Sequence, residues 1–121
     1  MKLKREAKLR KSAEFRRVFN HPNVSKDRYF RVFSRSNGLA YSRLGMGVAA
    51  RTCRSAVGRN RLKRLIRESF RCQQNELSGA KACDVVVVPT SMAVSEHNHT
   101  LTCSLHELWT RLARTQPSHG A

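Results

Sequence analysis

The spacing of hydrophobic residues along this 121-residue chain predicts three helices. In the first, Phe15, Val18 and Phe19 recur at i, i+3 and i+4, so they share one side, and Ser12 is positioned to cap the start. In the last, four leucines recur at i, i+4, i+7 and i+11 beside a tryptophan. The helices are expected over about residues 13–19, 58–73 and 100–114.

Four shorter segments predict strands, of which YFRVFSR, residues 29–35, is rich in aromatic and β-branched residues. CDVVVVP, residues 83–89, has four valines in a row, which is typical of a strand covered on both faces. Gly45 and Gly47 lie in another strand and suggest a close approach to its backbone. The other predicted strands are residues 29–35 and 43–50, with a weaker signal at 23–26. The order of elements predicts an α+β fold, a two-layer α/β sandwich in which helices flank a sheet of about four strands.

Charge is concentrated in the first part of the chain. Lys and Arg number 24 against 8 Asp and Glu, which gives a net charge of +16 and a pI of about 11.2. Residues 1–71 hold 21 basic and 4 acidic side chains, whereas residues 72–121 hold 3 and 4. Such a charge calls for a nucleic acid, an anionic membrane or an acidic protein as partner. We expect a basic N-terminal arm (1–11), one α/β domain that binds this partner (12–115) and a disordered tail (116–121).

Other features of the sequence limit the possible cellular location of the protein and the possible metal-binding or catalytic residues. No apolar run approaches the roughly eighteen residues of a membrane span, and the basic N-terminus lacks the apolar region of a secretory signal. The four cysteines form no CxxC pair and are interpreted as reduced thiols of a cytoplasmic protein. His97, His99 and His106 could bind a metal, but an HxH pair in a polar segment is more often plain surface. The acidic residues show no spacing typical of a catalytic pair, so we expect neither catalytic residues nor a metal site.

The segment AVGRNRLKRLIRESFR, residues 56–71, places apolar and basic side chains on opposite sides of a helix. At about 100° per residue, its large apolar residues fall within an arc of about 140°. The other side carries like charges at i and i+4, as in Lys63–Arg67 and Arg67–Arg71, where ordinary solvated helices mix signs. Phosphates would turn this repulsion into attraction. The predicted nucleic-acid surface consists of Asn60, Arg61, Lys63, Arg64, Arg67 and Arg71.

A second feature favours single-stranded nucleic acid. Side chains of the strand YFRVFSR, residues 29–35, alternate between the two faces of the sheet. One face mixes aromatic rings with arginines, namely Tyr29, Arg31, Phe33 and Arg35. Unpaired bases stack on such rings while arginines bind the phosphates. Phe15 and Phe19, with Arg16 between them, are either core residues or part of the same surface.

Five segments resemble, in order and spacing, the protein subunit of bacterial ribonuclease P. The main motif is GRNRLKRLIRESFR, which is similar to the RNR helix of that family. LRKSAEFRRVF and RLGMGVAAR precede it, and CDVVVVP and HELWTRL follow it. The resemblance covers nearly the whole chain, from about Leu9 to Arg114, and five segments in register are far more specific than RNR alone.

The resemblance implies a fold, an activity and a partner. The fold would be a four-stranded sheet flanked by helices, with a left-handed crossover between parallel strands, against the usual right-handed rule. The activity would be endonucleolytic removal of the 5′ leader from precursor tRNA by an RNA subunit with bound Mg²⁺. The protein would bind that RNA and the single-stranded leader, with no cofactor of its own, no membrane contact and no obligate protein partner.

The resemblance also assigns residues. Those that match the RNR helix are Arg59, Asn60, Arg61, Lys63, Arg64 and Arg67. Those that match the aromatic residues of the leader cleft are Phe15, Phe19 and Phe33. Arg16 and Arg31, which lie next to these rings in the sequence, complete the predicted cleft. Arg51 matches a basic position at a strand end, but Ala50 stands where the family commonly has a second basic residue.

Two other functions are compatible with these residues. A ribosomal or RNA-chaperone-type protein would bind RNA through the same basic helix without a catalytic partner. A basic protein-only nuclease would cleave RNA by itself. Adding the purified chain to the matching RNA subunit and precursor tRNA would separate the three.

Overall fold

The structure, a computed structural model, describes residues 7–20, 22–74, 76–77 and 82–115. Within these ranges the chain forms three helices and four strands, as predicted. In chain order they are α1 (Ser12–Phe19), β1 (Asn23–Lys26), β2 (Phe30–Ser36), β3 (Arg43–Met46), α2 (Ala56–Gln73), β4 (Cys83–Pro89) and α3 (Asn98–Thr115), with a 3-10 turn at Ser91–Ala93. None of the helices in the described ranges is long and apolar enough to cross a membrane. The predicted tail, 116–121, lies outside the described residues.

The strands form one mixed sheet in the order β1-β2-β4-β3. β2 pairs antiparallel with β1 and with β4, whereas β3 pairs parallel with β4. Because β3 and β4 are parallel, the chain must cross back along the sheet between them, and α2 makes that crossing. This is the parallel pair that the family resemblance implies around the RNR helix. The left hand of the crossover stays a prediction.

β4 separates two hydrophobic clusters. Val85 and Val87 project to one face of the sheet, which α2 and α3 cover, and we call it the closed face. Val86 and Val88 project to the other, which α1 and Leu9 cover in part, and we call it the open face. Residues at the centre of the closed face include Phe30, Leu62, Ile66, Phe70, Leu105 and Trp109. The predicted sandwich is thus formed by the sheet with α2 and α3, and α1 adds a partial cover on the other side.

The start of α1 differs from the prediction by one residue. Ser12 is the first helical residue rather than the cap, and Lys11 precedes it with an extended backbone. The Glu14 carboxylate accepts hydrogen bonds from the N–H groups of Arg10 and Lys11, both at 2.9 Å. The Glu14 carboxylate thus bonds to N–H groups of the residues just before the helix, as the acid of a capping box does, and does not replace a cap at Ser12.

β3 ends at Met46, before the predicted end at Ala50. Its ladder to β4 finishes at Gly47, whose N–H donates to a β4 carbonyl at 3.0 Å. The chain then turns, because the Ala49 carbonyl accepts the N–H of Thr52 at 3.0 Å. Backbone groups engaged in this turn cannot continue the strand.

Residues 7–11, which lie in the predicted basic arm, pack against the sheet. Ala7 and Leu9 are buried, and the Leu9 N–H donates to the Leu44 carbonyl at 2.8 Å. Lys8 and Leu44 also form a parallel bridge. This part of the arm therefore covers the outer edge of β3.

Tyr29 lies on the face opposite to the predicted one. Its N–H and that of Phe30 donate to Asp27 Oδ1, at 2.8 and 2.9 Å, in a turn before β2. Because the strand begins only at Phe30, the alternation does not extend back to Tyr29. Its ring packs against the closed-face cluster, and its hydroxyl donates to Glu96 Oε2 at 2.9 Å.

Candidate nucleic-acid interface

α2 is anchored to the closed face along one side. Leu62, Ile66 and Phe70 are buried at four-residue intervals, the spacing that stacks side chains on one side of a helix. Phe70 meets Trp109 of α3 edge-on, with ring centroids 5.7 Å apart. The Trp109 indole N–H donates to Ser69 Oγ at 2.6 Å. This is the predicted apolar arc, and it leaves two flanks and an outer side for polar residues.

The basic residues of α2 lie in three rows, not on one continuous surface. The flank toward α3 carries Arg61, and the flank toward β3 carries Lys63 and Arg67. Asn60 and Arg64 are exposed on the outer side. Arg61 and Lys63 lie roughly 160° apart around the helix axis, so they cannot serve one flat surface. The structure therefore separates Arg61 from the other residues of the predicted nucleic-acid surface.

The first turn of α2 is tied to the loop before it. Ser55 caps the helix, since its Oγ accepts the Gly58 N–H at 3.1 Å. A Cβ on Gly58 would lie 2.7 Å from the Sγ of buried Cys53, so this close contact needs glycine. Arg59 Nη1 donates to the carbonyls of Cys53 and Arg54, both at 2.9 Å. Arg59 therefore bonds to its own chain at this end of the helix.

Arg61 is bonded to the segment that precedes α3. Its Nε donates to Asn98 Oδ1 at 2.8 Å and its Nη1 to the Val94 carbonyl at 3.2 Å. Its Nη2 donates to the Glu96 carbonyl. All three guanidinium nitrogens thus have an acceptor within the chain, and an RNA contact by Arg61 would compete with these bonds. Asn60, the middle residue of the motif, is exposed.

A cleft of about 220 Å³ lies between α1, β3 and the β3-side flank of α2. Its lining is Lys8, Leu9, Arg10, Phe15, Leu44, Gly45, Met46, Lys63 and Arg67, so cations surround an apolar floor. The Phe15 ring lies against Gly45, where a Cβ would come within 2.6 Å of it. This is the close approach predicted for the β3 glycines. At Gly47 a Cβ would meet only Val88, at an ordinary 3.6 Å.

The open face also carries an aromatic pair. Phe19 of α1 and Phe33 of β2 meet edge-on, with ring centroids 4.9 Å apart and ring planes at 61°. Phe19 is 47% exposed, so its ring packs on one side and reaches solvent on the other. Arg16 of α1 and Arg31 of β2 are exposed, and Arg31 projects to the same face of the sheet as Phe33. Phe19 thus lies mostly at the surface, whereas Phe15 is half-buried against the hydrophobic cluster of the open face.

Arginines of the sheet hold α1 at both ends. At the C-terminal end, Arg35 Nη1 donates to the carbonyls of Arg17 and Asn20, at 3.1 and 2.9 Å. At the N-terminal end, Arg43 Nη1 pairs with Glu14 Oε2 at 2.8 Å. These contacts fix the helix that carries both cleft phenylalanines.

Arg43 also neutralises a buried acid. Its Nε and Nη2 donate to the two oxygens of Asp84, at 2.8 and 2.7 Å, and Asp84 is only 2% exposed. Asn37 Nδ2 donates to the same carboxylate at 3.0 Å. The hydrogen bond to Asp84 raises the pKa of Arg43. The pKa of Glu14 is lowered, chiefly because the Lys11 N–H donates to its carboxylate. This network links α1, β3 and β4.

The remaining predicted basic residues lie at the periphery. Arg51 follows β3 and is exposed, as is Arg64. Arg71 pairs with Glu68 at 3.2 Å, an exposed contact of the kind that adds little stability. As RNA contacts, all three stay predictions.

His97, His99 and His106 are the residues that the sequence offered for metal binding. Among the residues that the structure describes, no three His, Cys, Asp or Glu side chains are grouped so as to hold an ion. His99 Nε2 and Cys103 Sγ lie 3.7 Å apart, and His106 Nδ1 lies 3.2 Å from Gln73 Nε2. All four cysteines are free thiols, and burial raises the pKa of Cys83 to about 12.

The hydrophobic pattern does not reveal the tethering arginines or two of the cleft cations. A signal for Arg43 is nevertheless present, because Asp84 is an acid in a run of buried valines and a buried carboxylate needs a donor partner. Lys8 and Arg10 have no such signal, because only tertiary pairing with β3 brings them to the cleft.

Fold and surface together define a class: a small basic α+β protein in which a cationic helix borders an aromatic cleft, with the clustered charge typical of nucleic-acid-binding proteins. The profile of the ribonuclease P family matches residues 3–113. The chain belongs to the family of ribonuclease P protein components and is thus a protein subunit of ribonuclease P. The family and the general function indicated by the sequence are confirmed.

Relatives match over nearly their whole length. The ribonuclease P protein component of Vibrio cholerae is 37% identical over 116 residues, 96% of this chain and 94% of the relative. That of Azotobacter vinelandii is 39% identical over 114 residues, 93% and 85% of the two chains. The solved RNase P protein of Staphylococcus aureus has a TM-score of 0.77 at 28% identity, covering 92% of this chain and 98% of its own. That of Thermotoga maritima has a TM-score of 0.75 at 32% identity, covering 86% and 96%.

Proposed function

We propose that this chain binds the catalytic RNA of ribonuclease P through α2 and holds the single-stranded 5′ leader of precursor tRNA on its open face. The RNA subunit, with Mg²⁺, hydrolyses the phosphodiester bond and releases the leader. The chain by itself is inactive, and the complex works in the cytoplasm.

The observation that supports this proposal most directly is the exposed ring of Phe19, which packs on Phe33 beside the cationic cleft. Phe33 braces Phe19 from one side, and the exposed side of the Phe19 ring offers a surface on which an unpaired base can stack. Lys63 and Arg67 line the cleft and supply donors for phosphates. A duplex keeps its bases stacked on each other, so a single strand suits this surface better.

The outer side of α2 suits a second RNA. Asn60 and Arg64 are exposed there, next to the cleft row of Lys63 and Arg67. Since Lys63 and Arg67 repel each other at i and i+4, phosphates on either side lower the energy of both. The excess of positive charge over residues 1–71 adds a long-range attraction that salt screens.

Among the described residues, two acids next to cleft-lining positions are held in ion pairs, which supports an RNA-based reaction. Glu14 and Asp84 are both paired with Arg43, at 2.8 and 2.7 Å. Carboxylates engaged in this way are poorly suited to take a proton from an attacking water.

Reconstitution tests the proposal. The purified chain, the RNA subunit and precursor tRNA are combined over a range of Mg²⁺ concentrations, and the released leader is measured. The chain should lower the Mg²⁺ concentration that cleavage needs, and without the RNA subunit it should release no leader. Cleavage by the chain alone, or no effect of the chain on cleavage, would contradict the proposal.

The leader site has its own test. Phe19→Ala should lower the affinity of the complex for precursor tRNA about 5- to 30-fold, as expected for one lost stacking contact. Affinity for mature tRNA, which lacks the leader, should stay unchanged. Met92→Ala is the control, since Met92 is a 54% exposed apolar residue in the turn before α3. Equal losses for precursor and mature tRNA would remove Phe19 from the leader site.

A further inference from the structure

We propose that Arg59 and Arg61, the two arginines of the RNR motif, are positioning residues. They fix the first turns of α2 and so orient the cationic rows of that helix toward RNA, without themselves binding it. The inference rests on the proposed RNA-binding function and assigns different roles within it. The residues that they orient are Asn60, Lys63, Arg64 and Arg67.

The argument begins with how weakly the start of α2 is anchored by apolar packing. In its first two turns only Leu62 is buried, and Ile66 and Phe70 follow further along. A helix end that rests on one side chain can roll about that contact. Arg59 lies about 60° from Leu62 on one side and Arg61 about 100° on the other, so together they restrain the roll.

The bonds of Arg61 extend across the space between two helices. Its three guanidinium nitrogens bond to the segment around Glu96, from Val94 to Asn98 at the start of α3. A phosphate contact would have to replace three bonds with one or two. Lysine has a single nitrogen and cannot reproduce a planar fork with three acceptors.

The bonds of Arg59 fix the other side. Its Nη1 donates to two successive carbonyls, those of Cys53 and Arg54, at 2.9 Å each. The same loop is fixed by the Ser55 cap and by the contact of Cys53 with Gly58. In the tetrapeptide GRNR, therefore, the glycine and both arginines serve local structure, and Asn60 is the exposed residue.

The test compares matched charge removals one helical turn apart. Arg61→Gln and Arg64→Gln are each assayed for affinity to the RNA subunit over a range of salt, far below the melting temperature of either variant. Arg64→Gln should reduce the salt slope by about one unit, as for a lost phosphate contact. Arg61→Gln should lower affinity about 3- to 10-fold with an unchanged slope. A reduced slope for Arg61→Gln that Asn98→Ala, which keeps the charge of Arg61, does not reproduce would make Arg61 a direct contact and overturn the proposal.

Unchanged affinity of Arg61→Gln, together with a lower melting temperature, would also overturn the proposal, because the role would then be stability alone. If Arg61→Gln does not fold, Arg61→Lys replaces it in the same affinity assay. A positioning residue should not be rescued by lysine, whereas Arg64→Lys should retain near-normal affinity. Rescue of Arg61 by lysine would contradict a role that depends on the guanidinium fork.

A second variant acts from the other side of the contact. Asn98→Ala removes the acceptor of Arg61 Nε from a different helix. It should cause part of the same loss in affinity, and the double variant should be no worse than Arg61→Gln alone. Independent, additive losses would contradict the proposal. If the wild-type chain does not bind the RNA subunit, both the proposed function and this inference fail, a result distinct from all the others.

Discussion

The two faces of the sheet are stabilised in different ways. On the closed face, α2 and α3, each of 18 residues, bury a large and almost wholly apolar cluster. On the open face, α1 has 8 residues, of which only Val18 is fully buried. Isolated helices of that length are unstable in water, and one buried valine cannot compensate. The open face instead depends on Arg35 and Arg43, which tether the two ends of α1 to the sheet.

This difference shows how a cleft can be kept open in a small protein. Apolar packing across α1 would bury Phe15 and Phe19 and close the cleft. Polar tethers at the helix ends hold α1 in place and leave part of each ring accessible. We therefore expect the closed face to determine most of the stability, whereas the open face keeps an accessible surface.

Replacing phenylalanine on each face should give the largest contrast. Phe70→Ala leaves a cavity among fully buried side chains and should lower the free energy of unfolding by about 3–5 kcal/mol. Phe19→Ala, at a 47% exposed ring, should cost less than about 1.5 kcal/mol. Urea unfolding of both variants measures the two losses. Similar losses would mean that the faces share the stability equally.

Removing the link between α1 and the sheet should have the next largest effect. Arg43→Met leaves Asp84 buried with only Asn37 to donate to it from a side chain, so we expect a loss of about 2–4 kcal/mol. Arg64→Met, an exposed residue of the same type, is the control and should change stability little. Urea unfolding again provides the measurement. A loss at Arg43 no larger than that at Arg64 would show that the network adds no stability.

A methyl group added at the floor of the cleft should cause a smaller loss of stability. In Gly45→Ala the new Cβ would meet the Phe15 ring at 2.6 Å, and the ring must move. We expect a loss of about 1–2 kcal/mol together with weaker binding of precursor tRNA. Gly47→Ala, just after the end of β3, is the matched control, since its Cβ meets only an ordinary contact at 3.6 Å. If the two variants behave alike, the contact of Phe15 with Gly45 is unimportant.

The smallest expected effect concerns acid pH. The pKa of Glu14 is lowered in the folded chain, first by the Lys11 N–H and also by the charge of Arg43. Its contribution to stability is therefore complete above the unfolded pKa, about 4.3, and is lost as pH falls through the lower folded pKa. The difference in stability between the wild type and Glu14→Gln should shrink below about pH 4.

The control for this acid titration is Glu107→Gln, which removes an exposed i, i+4 partner of Arg111. It should show almost no dependence of stability on pH in the same range. A constant difference between the wild type and Glu14→Gln at all pH values would mean that the Glu14 carboxylate has no special role.

Much of the fold could be predicted from local pattern. Four-residue spacing of apolar side chains identified α2 and α3, and the valine run identified β4, the strand covered on both faces. The predictions were wrong where a distant or unexpected hydrogen-bond partner determines the local structure. Lys11 rather than Ser12 is the residue before α1, Tyr29 turns to the closed face around Asp27, and β3 stops where the chain turns after Gly47.

By itself, the sequence determined which side of each helix is apolar, that the first part of the chain is strongly basic, and which family it resembles. It could not determine which cations serve the fold, because a helical pattern treats all polar positions alike. Arg61 bonds to Asn98, which lies 37 residues away in the sequence, and Arg43 bonds to Asp84, which lies 41 residues away. Only the tertiary structure brings such acceptors within bonding distance, and it thereby divides the arginines into those bonded within the protein and those exposed to solvent.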